Sequence, residues 1–282
     1  MKKTFKKIFG LVLSLAVIVG CVCGFAACGN DPDNKPTVTM YTEAGFAPYE
    51  WLDLTTKKVT GLDVAIMSQV AENLGAKLDV QNVYFDTITQ LTKNGSGYVV
   101  GAAGITINEK RKQAVDFSNV YANSQLVIVS KDGSLDSIKS LEGKKVAVQT
   151  STSGHTVCKT NGNIEIKTYN TYAEMKKFLL QGNVFDAIVM DKLPAEALAN
   201  GTTLVIKDAT DVPADDFGIM FKKGMDQKFV DEINNVINTW KENGNMAKYS
   251  LYYTQLYTYE QAEDKSTVEE PQANGLKLTW NC

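Results

Sequence analysis

The chain has 282 residues, 44% of them hydrophobic and 22% charged, an ordinary globular composition and enough length for two medium-sized cores. That excludes a disordered, collagenous or multi-span membrane protein. A formal net charge of −3 argues against a nucleic-acid binder driven by phosphate contacts, and a single histidine leaves His-based zinc sites and Ser-His-Asp chemistry poorly supplied.

Lys2, Lys3, Lys6 and Lys7 precede Ile8 to Val19, which is apolar apart from Gly10 and Ser14. A basic start, a short apolar core and small residues up to Ala27 make a secretory signal over residues 1–27. A membrane span would need about 20 apolar residues. Phe25-Ala26-Ala27-Cys28-Gly29 resembles a bacterial lipoprotein box, in which the cysteine is acylated and becomes the new N-terminus; Ile18-Val19-Gly20-Cys21 fits more loosely. Cys28 is the expected lipidation site, because the polar stretch from Gly29 to Pro36 follows it as a tether. Cleavage before Cys28 removes four lysines and no acid, and takes the formal charge from −3 to −7. Cys158 and Cys282 remain in the folded part, and their spacing does not decide whether they pair.

From there strands and helices alternate. Val38 to Tyr41 reads as a strand. Leu62, Ile66, Met67, Val70 and Leu74 recur at helical spacing, with Gly75 as the stop. Leu78 and Val80 alternate as in a strand, Ile88 and Leu91 mark a short helix, and Tyr98 to Ala103 and Leu126 to Val129 are strands. The pattern then restarts with a strand over Lys145 to Val148, the polar turn Thr150 to Gly154, and alternation at Ile164 and Ile166. Met175, Phe178 and Leu179 mark a helix ended by Gly182, and Val184 to Met190 a buried strand. Pro194 can open a helix. Leu204 to Ile206 is a strand, and Phe217 to Phe221 returns the chain. Phe229, Ile233, Val236, Ile237 and Trp240 form a strong helical stripe, and a second helix runs from about Met246 to Leu256. Gln261 to Asn274 is polar and acidic and reads as mobile, with a late edge strand over Leu276 to Trp280. Two tandem α/β units with mainly parallel sheets follow from this order, and the cleft between them is the expected ligand site.

The residues that carry chemistry fall at strand ends. Thr106 and Arg111 follow the Ala103 strand, where a hydroxyl, free backbone groups and a guanidinium fork suit a carboxylate; a surface arginine in a Lys-Arg-Lys run is the plainer reading. The Thr150 to Gly154 turn opens a helix, which favours an anion, or simply caps it. Asp191 follows a buried run, as a receiver for an ammonium or as a helix cap. Glu43 to Trp51 ends the first strand and places aromatics and one carboxylate where ligands bind, or simply caps a core with loop aromatics. His155, one residue past the turn, reads chiefly as an exposed helix residue.

In order along residues 37 to 256, Phe46-Ala47-Pro48-Tyr49-Glu50-Trp51, Gly61-Leu62-Asp63-Val64-Ala65, Gly104 to Arg111, Asp116-Phe117-Ser118, Leu141 to Gln149, Gln181 to Ala187 and Met190-Asp191 make the chain resemble the polar amino-acid solute-binding lipoproteins of bacterial ABC importers, extracellular solute-binding protein family 3. The resemblance implies a type II periplasmic-binding-protein-like fold: lobe one over 37–124 plus 218–260, lobe two over 129–214, joined by two crossing strands, with the 28–36 tether in front and a 261–282 tail that has no family counterpart. It implies that Arg111 holds a ligand α-carboxylate, helped by backbone at Thr106 and Ser153. Asp191 and the Gly104 carbonyl would take the α-ammonium, Phe46 and Phe85 would sandwich the side chain, and Glu43 would reach its far end. Gln149 stands where the family often has lysine, which with two acids tilts the expected polar or basic ligand toward lysine, arginine, ornithine or cystine and away from glutamate, with glutamine still open. No catalytic residue, metal or cofactor is expected. The expected partners are a free amino acid, ABC permease subunits and a membrane reached by the lipid anchor, with a monomeric protein outside the cell membrane. An amino-acid sensor with a membrane signalling partner and, more remotely, an exported dehydratase are the alternatives.

Overall fold

In the computed structural model the described residues are 35–280. The signal segment, the lipidation residue Cys28, its rival Cys21, most of the tether, and Cys282 lie outside them.

The chain runs β1 (Thr37–Thr42), β2 (Gly45–Phe46), β3 (Glu50–Leu52), β4 (Val59–Thr60), α1 (Leu62–Asn73), β5 (Lys77–Asn82), α2 (Phe85–Asn94), β6 (Tyr98–Gly101), α3 (Glu109–Lys112), β7 (Val115–Phe117) and β8 (Ala122–Ser124). It continues through β9 (Leu126–Ser130), β10 (Lys145–Gln149), α4 (Ser153–Asn161), β11 (Glu165–Tyr169), α5 (Tyr172–Gln181), β12 (Ala187–Asp191), α6 (Lys192–Ala199) and β13 (Val205–Asp208). It returns by β14 (Asp215–Phe217), β15 (Met220–Lys222), α7 (Gln227–Glu242) and α8 (Asn245–Gln261).

Two five-stranded sheets carry the fold, in the orders β5-β1-β6-β15-β7 and β11-β10-β12-β9-β13. β1 is parallel to β5 and β6, and β10 to β11 and β12, while β15, β9 and β13 run antiparallel to their neighbours. This is the mixed α/β type II fold. We call the first sheet and its helices lobe one, and the second lobe two. β8 and β14 pair antiparallel as a sheet of their own between the two, which is where the chain passes over and back.

Residue types explain the elements. β9 and β12 are buried at every position, so both read as continuous apolar runs rather than alternations. In α7 the stripe Phe229, Ile233, Val236, Ile237 and Trp240 is buried, and Asp226 caps the helix by accepting from the N–H groups of Lys228 and Phe229, worth about 1 kcal/mol. Phe229 stacks on Tyr98 of β6 at 4.6 Å between ring centroids. Cys158 is buried in the lobe-two core and has no disulfide partner among the described residues.

One expectation at the C-terminus is corrected: Leu276 to Trp280 forms no strand. Lys265 to Thr267 makes a 3-10 turn, and Leu276, Leu278 and Trp280 pack on the apolar core. Tyr249 Oη donates to the Lys277 carbonyl at 2.9 Å, Lys277 pairs with Glu72, and Trp51 Nε1 donates to Glu260 at 2.8 Å. The apolar residues of the tail cover a helix face, which satisfies them without an edge to pair with.

Candidate functional site

Glu43 follows β1, Phe46 lies in β2, and Gly104 and Thr106 follow β6; Phe85 starts α2 and Arg111 lies in α3. Ser153 starts α4 just past β10, and Asp191 ends β12. Parallel strands of both lobes therefore deliver these residues at their carboxyl ends, where open α/β sheets bind ligands. One pocket between the lobes is lined by Glu43, Phe46, Phe85, Gly104, Thr106, Ser153 and Asp191, seven of the eight residues singled out in the sequence. Glu50, Ala103, Gln149, Thr152 and Tyr172 complete its wall. Sequence reading noted Gln149 only as a departure and missed Tyr172, whose helical spacing with Met175 and Leu179 marks it as core rather than site.

Arg111 stands beside this pocket rather than in its wall, and lines a neighbouring groove of about 430 Å³ with Lys110, Ser151, His155 and Lys159. Its guanidinium lies 5.4 Å from the centre of the Phe85 ring. Nη1 donates to the Thr106 carbonyl at 2.7 Å, and Nη2 reaches across to the Ser151 carbonyl of lobe two at 3.1 Å. A guanidinium has five N–H donors, so these two contacts leave three for a ligand. Burial lowers its pKa to about 10, while Asp215 and Asp191 act in the opposite sense, so it stays charged at neutral pH.

The turn before α4 does cap its helix: Thr152 Oγ1 accepts from the His155 N–H at 3.1 Å. Ser153 occupies the first helical position, where N–H groups have no partner within the helix. His155 is half-buried, with Nδ1 accepting from the Ser151 N–H. Asp191 occupies the N-cap position of α6 but makes no capping hydrogen bond. Its side chain is 5% exposed and held by Ser124, and Oδ1 has no partner. The plain capping reading therefore fails at the one aspartate it would most easily have explained.

Gly104 has φ +52, a left-handed conformation, and a Cβ there would stand 2.4 Å from a ring carbon of Phe46. The absence of a side chain is what seats Phe46 against the backbone after β6. Phe46 in turn stacks on Tyr49 of its own lobe and on Tyr172 of lobe two, 5.6 Å away. Gln149 Nε2 donates to Glu43 across the lobes at 3.2 Å. With these contacts made, the cavity measures about 10 Å³, room for about one water molecule. An amino acid enters only when the lobes part.

The pocket is acidic. Glu43, Glu50 and Asp191 line it and are all buried. Burial pushes Glu43 up to about 7 against the lowering effect of Gln149, and Asp191 up to about 7 against Ser124 and Arg111. Asp63 stands just behind, its Oδ2 accepting from the Gly104 N–H at 3.0 Å and from Tyr121 Oη at 2.8 Å. Among the described residues no group of His, Cys, Asp and Glu side chains is arranged to hold a metal ion, and no helix is long and apolar enough to cross a membrane.

Residues 38–255 match the family described as bacterial extracellular solute-binding proteins, family 3. The chain belongs to that family. The L-cystine-binding protein TcyA of Bacillus subtilis is 27% identical over 270 residues, covering 89% of this chain and 96% of TcyA. The arginine-binding extracellular protein ArtP of the same species is 26% identical over 253 residues, covering 83% and 94%. Among solved structures, an ancestral arginine-binding protein bound to arginine superposes with a TM-score of 0.70 at 29% identity, over 78% of this chain and 98% of the ancestral one. These relatives are named as amino-acid-binding proteins, and a further one, from Escherichia coli, is named as a putative ABC transporter arginine-binding protein.

Proposed function

We propose that the protein captures a free amino acid bearing a second positive group, a basic amino acid or cystine, outside the cell membrane and hands it to an ABC permease. One observation carries the reading: three buried carboxyls converge on a pocket whose neighbouring cation is Arg111. A ligand α-carboxylate takes Arg111, and the α-ammonium takes Asp191 and the Gly104 carbonyl. Of the two acids then left, Glu43 has only the neutral Gln149 as partner and calls for a second positive charge, because a buried carboxylate without a compensating charge is costly. Phe46 and Phe85 offer aromatic faces to the side chain, and backbone at Thr106 and Ser153 assists the carboxylate. Contacts to both lobes give the ligand the differential affinity it needs to drive closure. The protein acts as a monomeric binder and not as an enzyme, in keeping with relatives named for binding. A thermal-shift screen over the standard amino acids, ornithine and cystine tests the reading, since a ligand at 100 times its Kd adds about 2.7 kcal/mol.

Glu43 sets the preference among ligands in this account. Glu43→Gln keeps the shape and removes the charge, and should weaken a dibasic ligand at least about tenfold, near 1.4 kcal/mol. Glutamine should lose much less. Calorimetric titrations with arginine and glutamine check this, and equal losses for both would remove Glu43 from selectivity.

A lipid at Cys28 holds the protein at the membrane, supported by the small residues before it and the polar tether after it. Cys28→Ala should fold and bind normally but appear in the soluble fraction. A variant that still sediments with membranes after signal cleavage would place the anchor elsewhere, with Cys21 the first residue to replace.

A further inference from the structure

We propose that Glu50 and Asp63 share one proton, carried by Glu50 and donated to Asp63, so that the two acids behind the pocket hold one negative charge between them. Glu50 lies in β3 and Asp63 in the first turn of α1, and both are 0% exposed. Neither oxygen of Glu50 has a hydrogen-bond donor, and Oδ1 of Asp63 has none either. Buried carboxyl oxygens in that state are rare, because each forgoes its hydration with nothing in return. The two side chains face each other within hydrogen-bonding reach. A single proton between them turns one oxygen of Glu50 into a donor and gives Asp63 Oδ1 its missing partner. That single proton leaves one oxygen of Glu50 as the remaining buried acceptor without a donor.

The proton belongs on Glu50 for a stated reason. Burial pushes Asp63 up to about 7, but it accepts from the Gly104 N–H and from Tyr121 Oη, which favour its charged form. Glu50 has no such donors, and burial together with Asp63 and Glu43 raises its pKa well above the carboxylate range. The groups acting on the pair are acids and phenols throughout. They are Glu43 after β1, Tyr49 before β3, Tyr121 before β8 and Tyr172 of α5. The neighbours of β3 add Gly45 and Phe46 from β2, and Val59 and Thr60 from β4, none of them a cation. A doubly ionised pair would therefore stand uncompensated.

Glu50 is thus a positioning residue. Protonated, it fixes Asp63, which holds the Gly104 N–H in the peptide just before the Gly104 carbonyl. The inference holds whatever the ligand, since it concerns the empty protein. Two readings test it together. Near pH 8.5, where Glu43 and Asp191 have ionised, infrared difference spectra of Glu50→Gln against the unmodified protein should show the loss of one protonated-carboxyl C=O band. Melting temperature at the same pH should stay close to the unmodified value in Glu50→Gln, whose amide N–H replaces the donated O–H, and fall by several degrees in Glu50→Ala. Absence of that band, or a melting temperature raised by Glu50→Gln through relief of charge repulsion, would overturn the shared proton. If Glu50→Gln does not fold, the unmodified protein decides alone: its protonated-carboxyl band must persist at pH 8.5, and a spectrum without one contradicts the proposal.

Discussion

Arg111→Ala should abolish measurable binding of every free amino acid, with a loss of a hundredfold or more. The side chain does two jobs in the closed protein. It supplies guanidinium N–H groups beside the pocket, and it ties the Thr106 carbonyl of lobe one to the Ser151 carbonyl of lobe two. Removing one partner of a buried charge pair costs roughly 3–5 kcal/mol, because the other charge stays buried without compensation. The ligand carboxylate would be that orphan. Arg111→Lys keeps the charge but not the planar fork, and should also bind weakly. Calorimetry checks both, with circular dichroism to confirm folding. A loss below tenfold in Arg111→Ala would take Arg111 out of the site and leave the carboxylate to the backbone of the Thr150 to Gly154 turn.

Acid should weaken the binding of a dibasic ligand and at the same time firm up the empty protein. Burial raises Glu43 and Asp191 to about 7 in the closed, empty state, so both are substantially protonated at and below neutral pH. A ligand ammonium beside either carboxyl favours its charged form and lowers that pKa, so binding releases protons. Affinity is then full above about pH 7 and is lost as pH falls, by up to about tenfold per pH unit for each proton released. Arginine should bind at least about tenfold more weakly at pH 5.5 than at pH 8. Glutamine has only its α-ammonium to displace a proton and should show the shallower profile. For the empty protein the sign reverses: a carboxyl whose pKa is raised by folding stabilises most in the ordinary carboxylate range, near pH 4, and that contribution fades as pH rises through 7. The melting temperature without ligand should therefore fall from pH 5.5 to 8 while the shift produced by arginine grows. Two flat profiles would mean that these carboxyls stay ionised and hydrated.

Most of the framework was legible because the two periodicities are clean. The stripe from Leu62 to Val70 and the stripe from Phe229 to Trp240 are core faces in the folded chain. β9 and β12 read as apolar runs because both faces of the sheet are covered. The tail from Leu276 to Trp280 alternates apolar and polar residues as an edge strand does, yet it packs on helices. Alternation reports that one face is buried, not what buries it. At the site, strand ends brought Glu43, Thr106, Ser153 and Asp191 together as expected. Tyr172 and Glu50 were not legible as pocket wall, because a helix start and the short β2–β3 hairpin sit there for tertiary reasons. The contact of Arg111 with Ser151, 40 residues on, was equally hidden, since it exists only when the lobes meet.

The most direct test of the whole account is a crystal structure of the protein with the amino acid that raises its melting temperature most. The ligand should lie between the lobes, with its carboxylate on Arg111 and the Ser153 N–H, and its ammonium on Asp191 and the Gly104 carbonyl. A second positive group should point to Glu43, and the cavity should be wider than its empty volume of about 10 Å³. A ligand seated instead in the groove lined by Lys110, His155 and Lys159, or held between the lobes without touching Arg111 and Asp191, would contradict it.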